Sequence, residues 1–527
     1  MSLTRPRRPP TTALTQVVAW LRASGREVEA RGLADLTGIS LSSQRIRPGD
    51  LYAALPGSRV HGITYLDAAL EAGAAAVLTD PAGAAETPDD VPVVVVERPR
   101  EVLGLLAARM YGEPAASMRM IGVTGTQGKT TTTRLAEAGL EESGVTAAVI
   151  GTVGTRVAGQ DVKTSLTTPE APDLHGLFAM MRERGVEACA MEVSSHALVM
   201  GRVDGVVFDV AVFLNLGRDH LDVHTDVEEY FQAKASLFTP EHARLALINV
   251  DDEHGRRLAA ETALPVRTFS TEGREADWSA GSAQANDDET GWAFHVAGPD
   301  GLDVHGEVRL PGAFNVSNAL AAIASCAEVG YDAQQVADGL STVVVPGRME
   351  EVHEGQDFSV VVDYAHKPDA VEAAVAALRP VAAERGGRVI VVIGAGGDRD
   401  RGKRPLMGEI AARLADVLIV TDDNPRTEDP AAIRAAVLAG VGESAGEVHE
   451  IGDRRAAITA AVDWAAAPDV VLIAGKGHET GQEVDGVVHE FDDRVVAREA
   501  IVDRLHRPEG PDDRGGHPLH LATEADG

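Results

Sequence analysis

Short runs of Val, Ile, Leu and Ala alternate along the chain with longer stretches whose apolar residues recur at helical spacing. The runs are AAAVLT, VPVVVV, MIGVTG, TAAVIG, EACAMEV, DVAVFLNL, LALINV, SVVVDYA, RVIVVIGA, DVLIVT and DVVLIAG. Nearly continuous apolar strands, as opposed to alternating ones, suit a parallel sheet covered on both faces, and helices between the strands supply the cover. The predicted class is α/β. Glu113-Pro114 precedes the strand that opens at Arg119, and Pro346-Gly347-Arg348 follows the helical stretch NVSNALAAIASCAEVG and its successor. Three domains are therefore expected, at 15–117, 118–346 and 347–507. Residues 1–14 and 508–527, rich in Pro, Gly and charge, read as mobile tails. The turn-rich stretch 270–310 reads as a β-hairpin excursion from the middle domain.

At 527 residues, 44% apolar and 24% charged, the chain is long enough for several separate cores. The 48 Lys and Arg face 81 Asp and Glu, a net charge of -33 that repels nucleic-acid phosphates and anionic lipid. Neither partner is expected. An acidic protein that handles anionic nucleotides must gather its few cations at the site and recruit metal ions, so local basic clusters carry information. The two cysteines, Cys189 and Cys326, sit in apolar stretches and read as buried thiols of a reducing compartment. The basic N-terminus is followed by no apolar stretch of a secretion signal, and no run of 18 apolar residues occurs, so a cytoplasmic protein is expected.

Chemistry is most explicit in 121-IGVTGTQGKTTTTRLAEAGLEESG, a strand leading through a Gly-rich turn into an amphipathic helix. Such a turn lets backbone N–H groups of Gly125, Thr126, Gln127, Gly128, Thr130 and Thr131 approach a triphosphate, with Lys129 on the outer phosphates and Thr130 on Mg²⁺. The spacing departs from the strict pattern: Val123 stands where the first Gly belongs, and Gly122 lies one place early. No Asn-Lys-x-Asp segment for reading guanine is present. Glu192 follows the buried strand EACAM, a place where strand-end carboxylates hold magnesium.

The loop form TGTxGKTT, followed in order by TTPE, MEVSSHAL, NLGRDHLDVH, YFQAKASLF, FNVSNALAA, PGRME, VDYAHKPDA, GAGGDRDRGKR, DDNPRTEDP and GKGHETGQ, resembles the Mur ligases of the tripeptide-synthetase type over residues 40 to 505. The resemblance implies an N-terminal UDP-binding domain, a central P-loop ATPase and a C-terminal Rossmann-like domain. It further implies that ATP phosphorylates a carboxylate of UDP-MurNAc-L-Ala-D-Glu and that an amine attacks the acyl phosphate. It makes Glu192 and His220 metal ligands and Lys234 a carbamylated lysine, formed with CO₂, that helps place the second metal. By residue type a helical lysine is only a solvated charge. Asn318, Arg348, Asp363 and His366 match positions that contact ATP across a domain boundary, where the fork of an arginine suits phosphate oxygens. Lys129, Lys234, His220 and Arg348 are accordingly the catalytic candidates. His196 and His224 keep a structural reading, and Ser195 is left aside.

The resemblance assigns the sugar-peptide to Thr167, Thr168, Ser194 and Arg202, and the uridine end to Ser43. There the chain reads Ser42-Ser43-Gln44 where the family shows Asp-Ser-Arg, although His61-Gly62 agrees. Asp423-Asn424-Pro425-Arg426 matches the segment of diaminopimelate-adding members, and Arg399, Gly475 and Glu479 complete that pocket. The physics agrees, because the second zwitterion of diaminopimelate ends in a carboxylate that an arginine holds and a lysine ammonium lacks. The expected protein is a monomeric ligase using ATP and Mg²⁺. Its alternatives are a paralogue acting on another acceptor and a nucleotide-binding protein that has lost ligation.

Overall fold

The computed structural model describes residues 4–507 except 58, 165, 218, 220–223, 286–290 and 443–445. Every apolar run named above contains a strand, and the strands gather into three large sheets in chain order. The first has five strands between Glu29 and Val95, the second eleven between Arg119 and Val308, and the third six between Glu350 and Ala474. The expected excursion is an antiparallel meander of Trp278–Ala285, Trp292–Ala297 and Asp303–Val308 that extends one edge of the second sheet.

Within the second sheet, the strand Arg119–Thr124 lies between Ala188–Glu192 and Val210–Phe213, parallel to both. From Arg119–Thr124 the chain first winds to one side, through Ala147–Gly151, and later crosses to the other. This reversal opens a crevice at the carboxyl ends of the strands, where α/β sheets bind their ligands. The third sheet repeats the device: Ser359–Asp363, Val470–Ala474, Val389–Ile393 and Val417–Val420 run parallel, so the loops after them gather at one end.

Alternate residues of each central strand bury on opposite faces. Ile121 and Val123 pack with Leu135, Leu140, Leu320 and Ile323 of the helices Lys129–Glu142 and Phe314–Glu328. Met120 packs on the other face with Leu174, Phe178 and Phe208. Each fully buried side chain of this size contributes roughly 1.5–3 kcal/mol. Gly122, the glycine one place early in the phosphate-loop pattern, has a packing reason: a Cβ there would meet the Phe208 ring at 2.8 Å. Both cysteines are buried in these clusters, and burial pushes the Cys326 thiol up to about 12.

The expected leading tail is corrected from Arg5 onward. Arg5 is 8% exposed, its guanidinium donating to Asp50 Oδ2 at 2.6 Å and to the Ile39 carbonyl at 2.8 Å. The backbone N–H groups of Arg7 and Arg8 donate to the Glu183 carboxylate at the end of the helix Ala171–Glu183. Charge made this segment look solvated, whereas the Arg5 guanidinium is paired within the first sheet and the next residues tie the segment to the middle domain. Removing one member of a buried pair leaves the other uncompensated. Arg5→Ala should therefore lower the first urea-unfolding transition by about 3 kcal/mol, with Arg5→Lys falling between it and the native chain.

Candidate active site

The strand Arg119–Thr124 delivers the Gly-rich turn, and the helix beginning at Lys129 carries it away. Gly128 has φ of +85°, and a Cβ there would stand 2.3 Å from Asn318 Oδ1. Only glycine suits both the left-handed backbone and the contact. Asn215 Oδ1 accepts from the N–H groups of Thr126 and Gln127 at 3.0 and 2.9 Å. The N–H groups offered to an anion thus narrow to those at the start of the helix, at Gly128, Lys129, Thr130 and Thr131.

The Gly125 carbonyl accepts from two ammonium groups, Lys129 Nζ at 2.6 Å and Lys234 Nζ at 2.9 Å. Lys234 is 1% exposed on the helix Val227–Ala235, its Nζ 4.5 Å above the Tyr230 ring. Burial, with the charges of Lys129 and Lys367, holds Lys234 well below an ordinary lysine pKa. Burial and Lys367 push Lys129 down to about 8. The cluster is a cation-rich centre whose mutual repulsion favours the binding of anions.

Glu192, the last residue of its strand, is buried with Oε1 accepting from Thr152 N at 2.7 Å and Oε2 from Thr152 Oγ1 at 3.0 Å. Gly151 leaves it room, since a Cβ there would approach Oε1 to 2.3 Å. Thr152 Oγ1 also meets Thr167 Oγ1 at 3.0 Å, and Thr168 Oγ1 donates to the Glu192 carbonyl at 2.8 Å. Ser194 caps the short helix Ser195–Val199 by accepting from Ala197 N. Arg202 is held by Glu170 at 2.8 Å.

These groups line one cavity of about 570 Å³, with Thr126–Thr131, Asn318, Arg348, Asp363 and His366 also on its wall. Asn318 lies inside the helix Phe314–Glu328, donating to Asn315 Oδ1, and does not cap it. Arg348 crosses from the third domain to within 3.4 Å of Thr130 Oγ1 and stacks 4.5 Å over the Tyr364 ring. Asp363 accepts from Met349 N and Ala365 N, and burial raises its pKa.

A second cavity of about 220 Å³ opens at the carboxyl end of the third sheet, lined by Gly396, Arg399, Asp423, Asn424, Arg426, Gly475 and Glu479 among others. Pro425 stays off this wall, its carbonyl lying 1.9 Å from where a Gly397 Cβ would stand. Arg426 donates from NH1 to the Gly397 carbonyl at 2.7 Å and pairs with Glu483 at 3.2 Å. The fully buried Lys476 draws Asn424 Oδ1 to 3.0 Å and Glu479 to 3.2 Å. Tyr364, His366 and Lys367 line both cavities, so the two are adjacent.

Sequences and folds of known proteins agree with this layout. Residues 123–326 match the Mur ligase middle domain, 347–477 the Mur ligase glutamate ligase domain, and 35–111 the Mur ligase family catalytic domain. A UDP-N-acetylmuramoyl-L-alanyl-D-glutamate–2,6-diaminopimelate ligase of Streptomyces coelicolor is 53% identical over 477 residues, covering 89% of this chain and 93% of its own length. The chain belongs to the Mur ligase family. The Streptomyces avermitilis protein of the same name is 51% identical over 504 residues, 94% of this Mur ligase and 98% of that one. A solved ligase of that name shares 35% identity and a TM-score of 0.62, over 89% of this chain and 96% of its own.

Not every candidate converges. Ser43 opens a short turn of the first domain and lines neither cavity. His61 accepts from Ile63 N and meets Asp80, a local support. His220 lies outside the described residues. Among those described, no three His, Cys, Asp or Glu side chains gather as a metal site. His224 Nε2 meets Ser195 Oγ at 3.0 Å, a structural contact; three lysines passed over in the sequence also take part, Lys367 and Lys403 on the cavity walls and the buried Lys476 behind the second one, 3.5 Å from Asp423. The three lysines stood inside recognised segments, where a scarce cation in an acidic chain was the available signal. Gly128→Ala should force its backbone or Asn318 to move, at about 1–2 kcal/mol for the left-handed conformation. Calorimetry with inorganic tripolyphosphate should then show binding weakened roughly tenfold or more, while the thermal midpoint of the middle domain falls by about 2–4 °C per kcal/mol of that strain.

Proposed function

We infer that this Mur ligase joins diaminopimelate to UDP-N-acetylmuramoyl-L-alanyl-D-glutamate, with ATP converted to ADP and phosphate through an acyl phosphate. The observation that carries the reading is the shared wall of Tyr364, His366 and Lys367 between the phosphate-loop cavity and the Arg399–Arg426 cavity. An acyl phosphate formed on one side lies within reach of an amine held on the other.

Triphosphate and carboxylate repel each other, and Lys129, Arg348 and the helix start at Lys129–Thr131 supply the opposing charge. Asn318 and Asp363 face the same cavity from the two sides of the nucleotide site. Thr167, Thr168, Ser194 and Arg202 offer hydroxyls and a guanidinium to the D-glutamate end, with Glu170 keeping Arg202 extended. One buried carboxylate, Glu192, lining the same cavity as Thr130 suits magnesium, which takes few protein oxygens and shares the rest with phosphates. Mg²⁺ bound there neutralises phosphate charge. Burial and the charges of Lys129 and Lys367 lower the Lys234 pKa and so favour the neutral amine, the form that adds CO₂, which suits this side chain to carbamylation.

We assign the reaction to the cytoplasm, where these water-soluble substrates would be drawn on; no described helix is long and apolar enough to cross a membrane. The Ser42-Ser43-Gln44 turn leaves open one other reading, the same chemistry on a different acceptor. Phosphate release that requires ATP, UDP-MurNAc-dipeptide and diaminopimelate together supports the first reading, and release with another acceptor supports the second. Arg426→Ala should reduce kcat/KM for diaminopimelate by about 100-fold, equivalent to roughly 3 kcal/mol from charged hydrogen bonds, and leave KM for ATP nearly unchanged. Parallel initial-rate series in each substrate check this, and equal loss in both counts against Arg426 as the selector.

A further inference from the structure

An amine cannot attack an acyl phosphate while it is an ammonium, so ligation needs a proton acceptor where the two cavities meet. His366 stands there, lining both. Its Nδ1 lies 2.7 Å from the Tyr364 carbonyl oxygen. A carbonyl only accepts, so Nδ1 carries the proton and Nε2 keeps the lone pair. Nε2 has no hydrogen-bond partner among the described residues. The Tyr364 ring, 4.5 Å away, and the Lys403 Nζ bond to the His366 carbonyl at 2.8 Å hold the residue in place.

We propose that His366 Nε2 takes the proton from the incoming ammonium and so makes the nucleophile. This rests on the ligase reading above and moves His366 from ATP contact to proton acceptor. The ammonium passes one proton to Nε2. The freed nitrogen pair forms the C–N bond, the C–O bond to phosphorus breaks with its electrons on phosphate, and the departing phosphate takes the second N–H proton. Imidazolium, amide and hydrogenphosphate result, and the imidazolium returns its proton to solvent.

The surrounding charges serve the same step. Lys367 beside it and Lys403 on the facing helix oppose protonation of His366, with burial the largest cause and Asp219 acting the other way. The same cations lower the pKa of an ammonium docked between them, while Asp423 and Glu479 of the far wall hold it. Anionic substrates entering both cavities offset the lysines and raise the basicity of His366 toward working pH.

The test compares two nucleophiles on the full chain. Hydroxylamine is unprotonated at neutral pH, so it traps the acyl phosphate as a hydroxamate without a base. In the native protein, kcat with diaminopimelate should show an acid limb that hydroxamate formation lacks; matching pH profiles overturn the proposal, and this arm needs no variant. His366→Gln should lose about 10²–10⁴-fold more in ligation than in hydroxamate formation and regain part of that difference as pH rises. Equal loss with both nucleophiles, or a raised KM for ATP at unchanged kcat, overturns the proposal in favour of nucleotide binding. A native chain that makes no hydroxamate from ATP and UDP-MurNAc-dipeptide defeats the ligase reading itself, and the proposal with it.

Discussion

Like charges are forced together at the centre of this protein. In a chain of net charge -33, Lys129, Lys234, Lys367, Lys403 and Arg348 converge on one junction, with Asp219 and Glu192 as carboxylates beside them. Each lysine lowers the proton affinity of its neighbours, which is why Lys129 falls to about 8 and Lys234 well below its usual range. Such a cluster destabilises the empty fold and is relieved by anions, so the strain is stored in the direction of binding. The Lys367–Asp219 pair ties the third domain to the middle one across the same gap.

The fold makes this concentration possible. Two parallel sheets point the carboxyl ends of their strands at each other, and loops after those ends escape the packing demands of the sheet. Thr124, Glu192, Asp363 and Ala474 are all last residues of strands, so rigid elements fix the origin of every loop that enters the junction. The helices behind them, buried through Leu135, Leu320, Val371 and Val375, resist the repulsion that the lysines generate.

Much of this was legible in the sequence, because continuous Val/Ile/Leu runs have one stable use and glycine before GKTT has another. Strands such as Gly38–Ser40 and Asp50–Ala53 escaped notice: at three and four residues with polar members, they have no period to read. Arg5 escaped because burial of a guanidinium depends on Asp50, 45 positions away. The Asn215 contacts that occupy the loop N–H groups join segments 88 and 89 residues apart, and no local pattern announces them. The segment Asp423–Arg426 was visible as a motif, yet the buried Lys476 that orders it came from a different loop.

Arg426 shows what the motif alone did not convey. Its backbone has φ of +52°, a conformation a non-glycine residue holds only when its surroundings impose it. The imposing element is the strand Gly481–Val484: Arg426 N donates to the Glu483 carbonyl at 3.0 Å, and Asp485 N returns to the Arg426 carbonyl at 2.7 Å. The side chain is engaged as well, at Gly397 and Glu483. A carboxylate arriving in this cavity therefore meets a guanidinium whose direction is already fixed, and it must share that charge with Glu483. Preorganisation lowers the entropy cost of binding while the resident acid lowers the gain from charge. On the function proposed above, selection then depends on geometry more than on strength: a ligand with no carboxylate at that point would leave Arg426 satisfied by its own protein and gain nothing from it, and a ligand ammonium there would be repelled.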